Sequence, residues 1–325
     1  MKLDLKKTNL KDFLEFKTLY YDKIDFTTVE SSWSLLSQKI SLPFVIHIVG
    51  TNGKGSTGRF LAHYLNKSNY KVLHYSSPHI VKFNERIWID GQDVIDEELE
   101  TAHKFLQKLY PIPLLEKLTY FEYTTLLSLY LSKDCDYLVL EAGLGGEFDA
   151  TNVVKNDLSL ITTIDLDHQS FLGNSVEEIA QTKMRSVDSK MLIGYQIHES
   201  IYSTAEKVKE QILKERNTRI LIEEVKNFDK YKLNKKFASY LKRNLHLVIA
   251  CLDELNLSVD LSIFEDVDLF GRCQKIAPNI TIDVGHNPLA AKVLLKEFEN
   301  KKITLIYNSY ADKDYEEVLK ILKPI

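Results

Sequence analysis

Residues 43–56 constrain this chain more than any other stretch. Pro43-Phe-Val-Ile-His-Ile-Val49 is a short, β-rich apolar run of the length a buried parallel strand needs. It leads straight into Gly50-Thr-Asn-Gly-Lys-Gly-Ser56, and Phe60, Leu61 and Leu65 then recur at helical spacing. Strand, glycine-rich loop and helix in that order form a phosphate cradle. The loop can curl so that its N–H groups converge on an anion, and the helix N-terminus adds partial positive charge. On this reading Gly50, Thr51, Asn52, Gly53, Lys54, Gly55, Ser56 and Thr57 bind a nucleotide. Lys54 reaches the outer phosphates, and the Ser56 hydroxyl, with Thr57, faces a magnesium ion. The spacing is one residue shorter than the general phosphate-loop pattern, with glycine between lysine and serine. The plainer alternative, an ordinary glycine-rich turn, leaves the agreement of strand, lysine and helix unexplained.

Glycine usage supports the point. The chain has only 12 glycines in 325 residues, yet seven fall in two short stretches, 50–58 and 143–146. Such clustering builds backbone that side chains would obstruct. With 42 basic and 46 acidic residues the net charge is −4, so no global basic field invites nucleic acid. The three cysteines, Cys135, Cys251 and Cys273, are too few and too far apart for a disulfide framework or a zinc site. The polar N-terminus lacks a secretory apolar segment, and no run is long enough to span a membrane. A cytoplasmic protein is expected.

The rest of the chain alternates strands and helices. Residues 1–40 look helical, with Leu10, Phe13, Leu14, Phe16 and Leu19 in phase. Strands are expected at 71–75, 136–141, 158–164, 280–284 and 303–307, with a hairpin arm or edge strand at 86–90. Helices are expected at 96–110, 120–132, 175–187, 199–216, 236–255 and 288–299, while 217–232 is charged and unplaced. This alternation means an α/β fold with a mainly parallel sheet. Glu141 then ends a strand beside the second glycine loop, at the sheet edge where ligands gather, and a carboxylate there suits Mg²⁺. His168 follows the next strand closely enough to reach the same edge. A solvated strand-end charge for Glu141, and a structural histidine at 168, remain alternatives.

The motifs together resemble the folylpolyglutamate synthase/dihydrofolate synthase family of the Mur ligase superfamily. The matching stretches are His47 to Thr57, Tyr75-Ser-Ser-Pro-His79, Phe83-Asn-Glu-Arg-Ile87, Phe121-Glu-Tyr123, Leu140 to Gly146 and Asp149-Ala-Thr-Asn152. They continue through Leu166-Asp-His168, Phe270-Gly-Arg-Cys-Gln274, Asp283-Val-Gly-His-Asn-Pro288 and Asp312-Lys-Asp314. The resemblance implies an ATP-dependent acid–amino-acid ligase that joins L-glutamate to dihydropteroate or a reduced folate through an acyl phosphate. It also implies two Mg²⁺ sites. Ser56 and Glu141 would hold one, and Ser77, Glu141 and His168 the other. Lys54, His168 and Lys183 would be catalytic, with Lys183 carbamylated by CO₂. Arg272, Asp283 and His286 would touch the nucleotide, and Ser77, Pro78, Phe121 and Asp149 the folate substrate. An exposed lysine at 183, an exposed hinge arginine at 272 and a turn histidine at 286 are the plainer alternatives. A monomer is expected.

The implied architecture is a phosphate-loop domain over 1–269, its mainly parallel sheet flanked by helices. A smaller, shortened Rossmann-like α/β domain would follow over 270–325. The family's second domain is longer, so truncation of this one is the expectation. Two local departures stand out. Glu147 occupies a position where the family often has arginine, and Thr182-Lys-Met-Arg185 replaces the usual Glu-Lys-Ala-Gly. Asp283-Val-Gly-His also differs from the usual Asp-Gly-Ala-His. Three other readings compete: a different Mur-type amide ligase, a non-catalytic nucleotide-binding protein and a phosphate-loop kinase. The first lacks room before residue 50 for the extra N-terminal domain such enzymes usually carry. The last has no need for a second nucleotide-binding half at 283–288.

Overall fold

The computed structural model describes residues 4–18, 25–226, 237–309 and 314–325. Ten strands are assigned among them: β1 Phe44–Val49, β2 Val72–Tyr75, β3 Ile87–Ile89, β4 Gln92–Asp93 and β5 Tyr137–Glu141, then β6 Leu158–Ile161, β7 Lys190–Ile193, β8 Leu221–Glu224, β9 Gln274–Ala277 and β10 Ile280–Ile282. The first eight form one sheet in the order β4-β3-β2-β5-β1-β6-β7-β8. From β2 to β8 along that order every pairing is parallel, while β3 and β4 add an antiparallel edge. β1 lies at the centre because its apolar run can be covered on both faces. Val45 packs into one core with Leu73, Leu138 and the helices Asp96–Leu109 and Tyr120–Leu131. Its neighbours Ile46 and Ile48 pack into the opposite core, with the helices Lys54–Lys67 and Ser239–Glu254. A third core joins Ile161 and Ile193 to the helices Val176–Met184 and Ser200–Arg216.

Most expected elements form. The N-terminal helical stretch resolves into Leu10–Glu15 and Phe26–Leu36, with Leu19 outside the described residues. The charged, unplaced stretch contains edge strand β8. The C-terminal part differs. β10 pairs antiparallel with β9 in a hairpin, and residues 303–307 form no strand. Residues 270–325 are therefore a hairpin with two helices, Pro288–Glu297 and Tyr315–Leu322, rather than a Rossmann-like parallel unit among the described residues. The reason is coverage. A parallel strand needs both faces buried, and Ile306 of this apolar run is 94% exposed. The buried core of this part is Ala291, Val318 and Leu322.

Candidate active site

β1 ends at the sheet centre, and its C-terminal edge is where the expected site residues meet. Gly53 caps the helix Lys54–Lys67 with φ 93°, a left-handed conformation open to glycine at little cost. A Cβ there would also lie 2.7 Å from Asn244 Oδ1. Thr51 locks the loop to the strand-end segment behind it: its N–H donates to Thr163 O, and its hydroxyl donates to Asp165 O at 2.9 Å. Lys54 Nζ folds back to donate to Gly50 O at 3.1 Å and Thr51 O at 3.3 Å. Ser56 and Thr57 are buried in the first helical turn, and Thr57 Oγ1 has no hydrogen-bond partner among the described residues.

Gly55 marks the centre of the site. A Cβ on it would sit 3.3 Å from Glu141 Oε2 and 3.8 Å from a guanidinium nitrogen of Arg272. Glu141 ends β5, is buried, and accepts from Ser77 N–H at 3.4 Å. Burial pushes its carboxyl up to about 6, against the pull of Lys54 and Arg272. Lys183, in the last turn of the helix Val176–Met184, is buried too. Burial, then the like charge of Lys54, brings its amine down to about 7, while Asp167 and Asp149 pull the other way. Phe121 packs over the second glycine loop, where a Cβ on Gly143 would lie 2.5 Å from its ring. Pro78 is exposed beside Ser77. The structure thus brings together residues 50–57, Ser77, Glu141, Lys183 and Arg272, with Phe121 on the flank. His168 begins the short helix Gln169–Leu172 in a left-handed conformation, its half-exposed ring 3.7 Å from Asp167.

Three further expected site residues have partners within the protein. The Asp149 carboxylate is buried and faces inward. It accepts from Leu144 N–H at 2.6 Å, Thr151 N–H at 2.9 Å and Thr151 Oγ1 at 2.6 Å. Asp149 therefore braces the second glycine loop. Asp283 accepts from Tyr240 OH at 2.8 Å, Cys273 N–H at 2.7 Å and Gly285 N–H at 2.7 Å, so three of its four lone-pair sites are taken by the protein. It clamps residues 273–285 to the helix Ser239–Glu254. His286 is exposed, and its Nδ1 donates to Val284 O at 3.0 Å.

Sequence reasoning missed a contact of equal interest. Asn52 Nδ2 donates to Asn287 Oδ1 at 3.0 Å, and Asn287 Nδ2 donates to Asn52 Oδ1 at 2.8 Å. This reciprocal amide pair ties the phosphate loop to the residue that caps the helix Pro288–Glu297. The signal available was the two motifs themselves, each containing an asparagine. Glu85 was also passed over. Its carboxylate accepts from the N–H groups of Ile80, Val81 and Lys82 at 2.7–3.0 Å, which fixes the loop after Ser77.

Comparison with known proteins agrees with this geometry. Residues 48–263 match the Mur ligase middle domain. The chain is 34% identical to the dihydrofolate synthase/folylpolyglutamate synthase of Haemophilus influenzae, over 87% of this chain and 73% of that protein. Among solved structures, Helicobacter pylori folylpolyglutamate synthetase is 41% identical with a TM-score of 0.74, covering 97% of this chain and 82% of the other. The Escherichia coli FolC complex with DHPP and ADP superposes with a TM-score of 0.82 at 27% identity, covering 98% and 82%. The phosphate loop, the strand-end carboxylate and these likenesses over most of the chain place it in the dihydrofolate synthase/folylpolyglutamate synthase family of Mur ligases.

Proposed function

We propose that the site performs ATP-dependent ligation of L-glutamate to dihydropteroate, reduced folates or both, giving dihydrofolate and folylpolyglutamates. Relatives named for these activities, and a FolC complex holding DHPP and ADP, support the reading. The observation that carries it for this chain is the meeting of Glu141 and Arg272 over Gly55, directly behind the phosphate loop. An anion fits there because the loop and helix N-terminus present N–H groups, and Lys54 can swing from its own carbonyls to a phosphate.

The residues present also fit a divalent metal. Glu141 is a buried carboxylate with incomplete charge compensation, and the buried Thr57 hydroxyl lacks a partner. Among the described residues no group of three or more His, Cys, Asp or Glu could hold a metal on its own. Mg²⁺ takes one or two protein carboxylates and keeps waters and substrate phosphates in its shell. Ser56 and Glu141 would hold the nucleotide's metal, and Ser77, Glu141 and His168 a second one. When bound, the nucleotide's metal would neutralise charge on the transferring phosphoryl group. Lys54 and Arg272 add positive charge on the same side.

The chemistry divides into two steps. The acceptor carboxylate attacks the γ-phosphorus and ADP leaves, giving an acyl phosphate. The glutamate amine then attacks the acyl carbon, releasing phosphate and a proton and forming the amide. Lys183 supports a role in this site because its amine is substantially neutral near pH 7, the form that reacts with CO₂ to give a carbamate. We assign it a carbamylated state that offers a carboxylate on a long arm. We also assign two functional units, 1–269 and 270–325, a monomeric state, and the cytoplasm, the last on the three free thiols. No helix among the described residues is long and apolar enough to cross a membrane.

The deciding experiment follows ADP release from ATP with Mg²⁺, bicarbonate and L-glutamate, with dihydropteroate, tetrahydrofolate or no acceptor. Acceptor-dependent release with a mass gain of one glutamate supports the reading and identifies the acceptor. ATP binding without turnover on either acceptor overturns it in favour of a non-catalytic nucleotide-binding protein.

A further inference from the structure

Glu147, at the end of the second glycine loop, and Arg185, at the end of the helix that carries Lys183, touch each other. Glu147 Oε1 accepts from Arg185 Nε at 2.8 Å, and both side chains are under a fifth exposed. Arg216 approaches the same oxygen at 3.5 Å, and Arg185 also donates to Glu215 Oε2 at 2.7 Å. The network binds three segments: the second glycine loop, the end of the helix Val176–Met184, and the end of the helix Ser200–Arg216. Backbone contacts run the same way. Glu147 N–H donates to Thr182 O at 3.0 Å, and Asn152 Nδ2 donates to Glu147 O at 2.9 Å. At Gly146 the loop lies so close to the helix that a Cβ would fall 2.5 Å from Lys183 O. Arg185 caps this helix C-terminus, where a cation is favoured.

We infer that Glu147 and Arg185 are positioning residues. Their ion pair holds the second glycine loop in register with the helix end that carries Lys183, and so sets where the Lys183 amine stands relative to Lys54. Neither side chain need touch a substrate. The argument rests on Lys183 belonging to the ligase site, as proposed above.

A double-mutant cycle on the full chain tests this. Glu147→Gln is nearly isosteric, and Arg185→Met keeps the aliphatic stem. Each is expected to lower kcat ~10-fold with KM for ATP within about 2-fold, and the double variant to be no worse than either single one. Unchanged kcat in both single variants overturns the inference, as do fully multiplicative losses. Amide hydrogen exchange on the nucleotide-free protein is the second arm and needs no turnover. Glu147→Gln should speed exchange at residues 144–148 about 10-fold while leaving the helix Lys54–Lys67 unchanged. A wild-type chain without ligase activity sinks the proposed function, and the exchange arm still decides the ion pair. Unchanged exchange at 144–148 refutes it.

Discussion

Glu141 carries the sharpest conflict in the site. Its carboxyl is buried, and its pKa of about 6 stands above the ordinary 4.5. An acid whose folded value is raised binds its proton more tightly when folded. Ionisation between pH 4.5 and 6 therefore costs stability, and the full cost persists above pH 6. Glu141→Gln should stabilise the metal-free, nucleotide-free protein at pH 7.5 by ~2 kcal/mol, with the gain gone at pH 4.5 and below. Urea unfolding at the two pH values measures it, and equal midpoints at pH 7.5 would refute the assignment. The same variant should abolish turnover. The place of Glu141 at a strand end was legible in the sequence because an apolar run leading into a glycine loop marks where the strand stops. The bracing bonds of Asp149 and Asp283 were not, since a motif carboxylate reads the same whether it faces the ligand or braces the loop behind it. Only their N–H and O–H donors distinguish the two cases.

At the scale of elements, the helix Lys54–Lys67 is pressed onto β2 where Gly58 meets His74. A Cβ at 58 would lie 2.3 Å from His74 Nε2, and the ring is buried. Gly58→Ala gains about 1 kcal/mol of helix propensity but incurs an overpacking cost of ~1–3 kcal/mol. Net destabilisation is expected, and His74→Ala in the same chain should relieve it. Denaturant midpoints for the two singles and the double decide the point, and independent, additive effects would refute the contact. The strands and helices around the sheet could be read from period and punctuation because their burial repeats along the chain. The segment 303–307 misled for the same reason. Its residues suit a strand, but pairing requires a neighbour and a second covering layer, and neither is a property of the segment.

At the scale of the molecule, the C-terminal part depends on the rest. Among the described residues its buried hydrophobic cluster is Ala291, Val318 and Leu322, with Leu289 buried beside it in sequence. Its ties to the larger part include the clamp of Tyr240 on Asp283, the Ser239 N–H to Glu297 Oε1 bond at 2.6 Å, and the Asn52–Asn287 pair. Residues 270–325 alone should give an amide spectrum without dispersion, whereas the whole chain should unfold in one thermal transition. A folded isolated fragment would show that this core suffices. Asn287→Ala removes a helix cap worth ~1 kcal/mol as well as the amide pair. It should raise KM for ATP more than it lowers the melting temperature, and an unchanged KM would confine Asn287 to capping. The amide pair also bears on recombination. Its halves stand 235 positions apart in the chain, and each amide offers its partner both a donor and an acceptor. A chimera that takes residues 1–269 from this protein and the remainder from a relative keeps that handshake only if the relative carries an asparagine at the position of 287. Crossover points should therefore be judged by whether both amides survive, however well the two pieces fold.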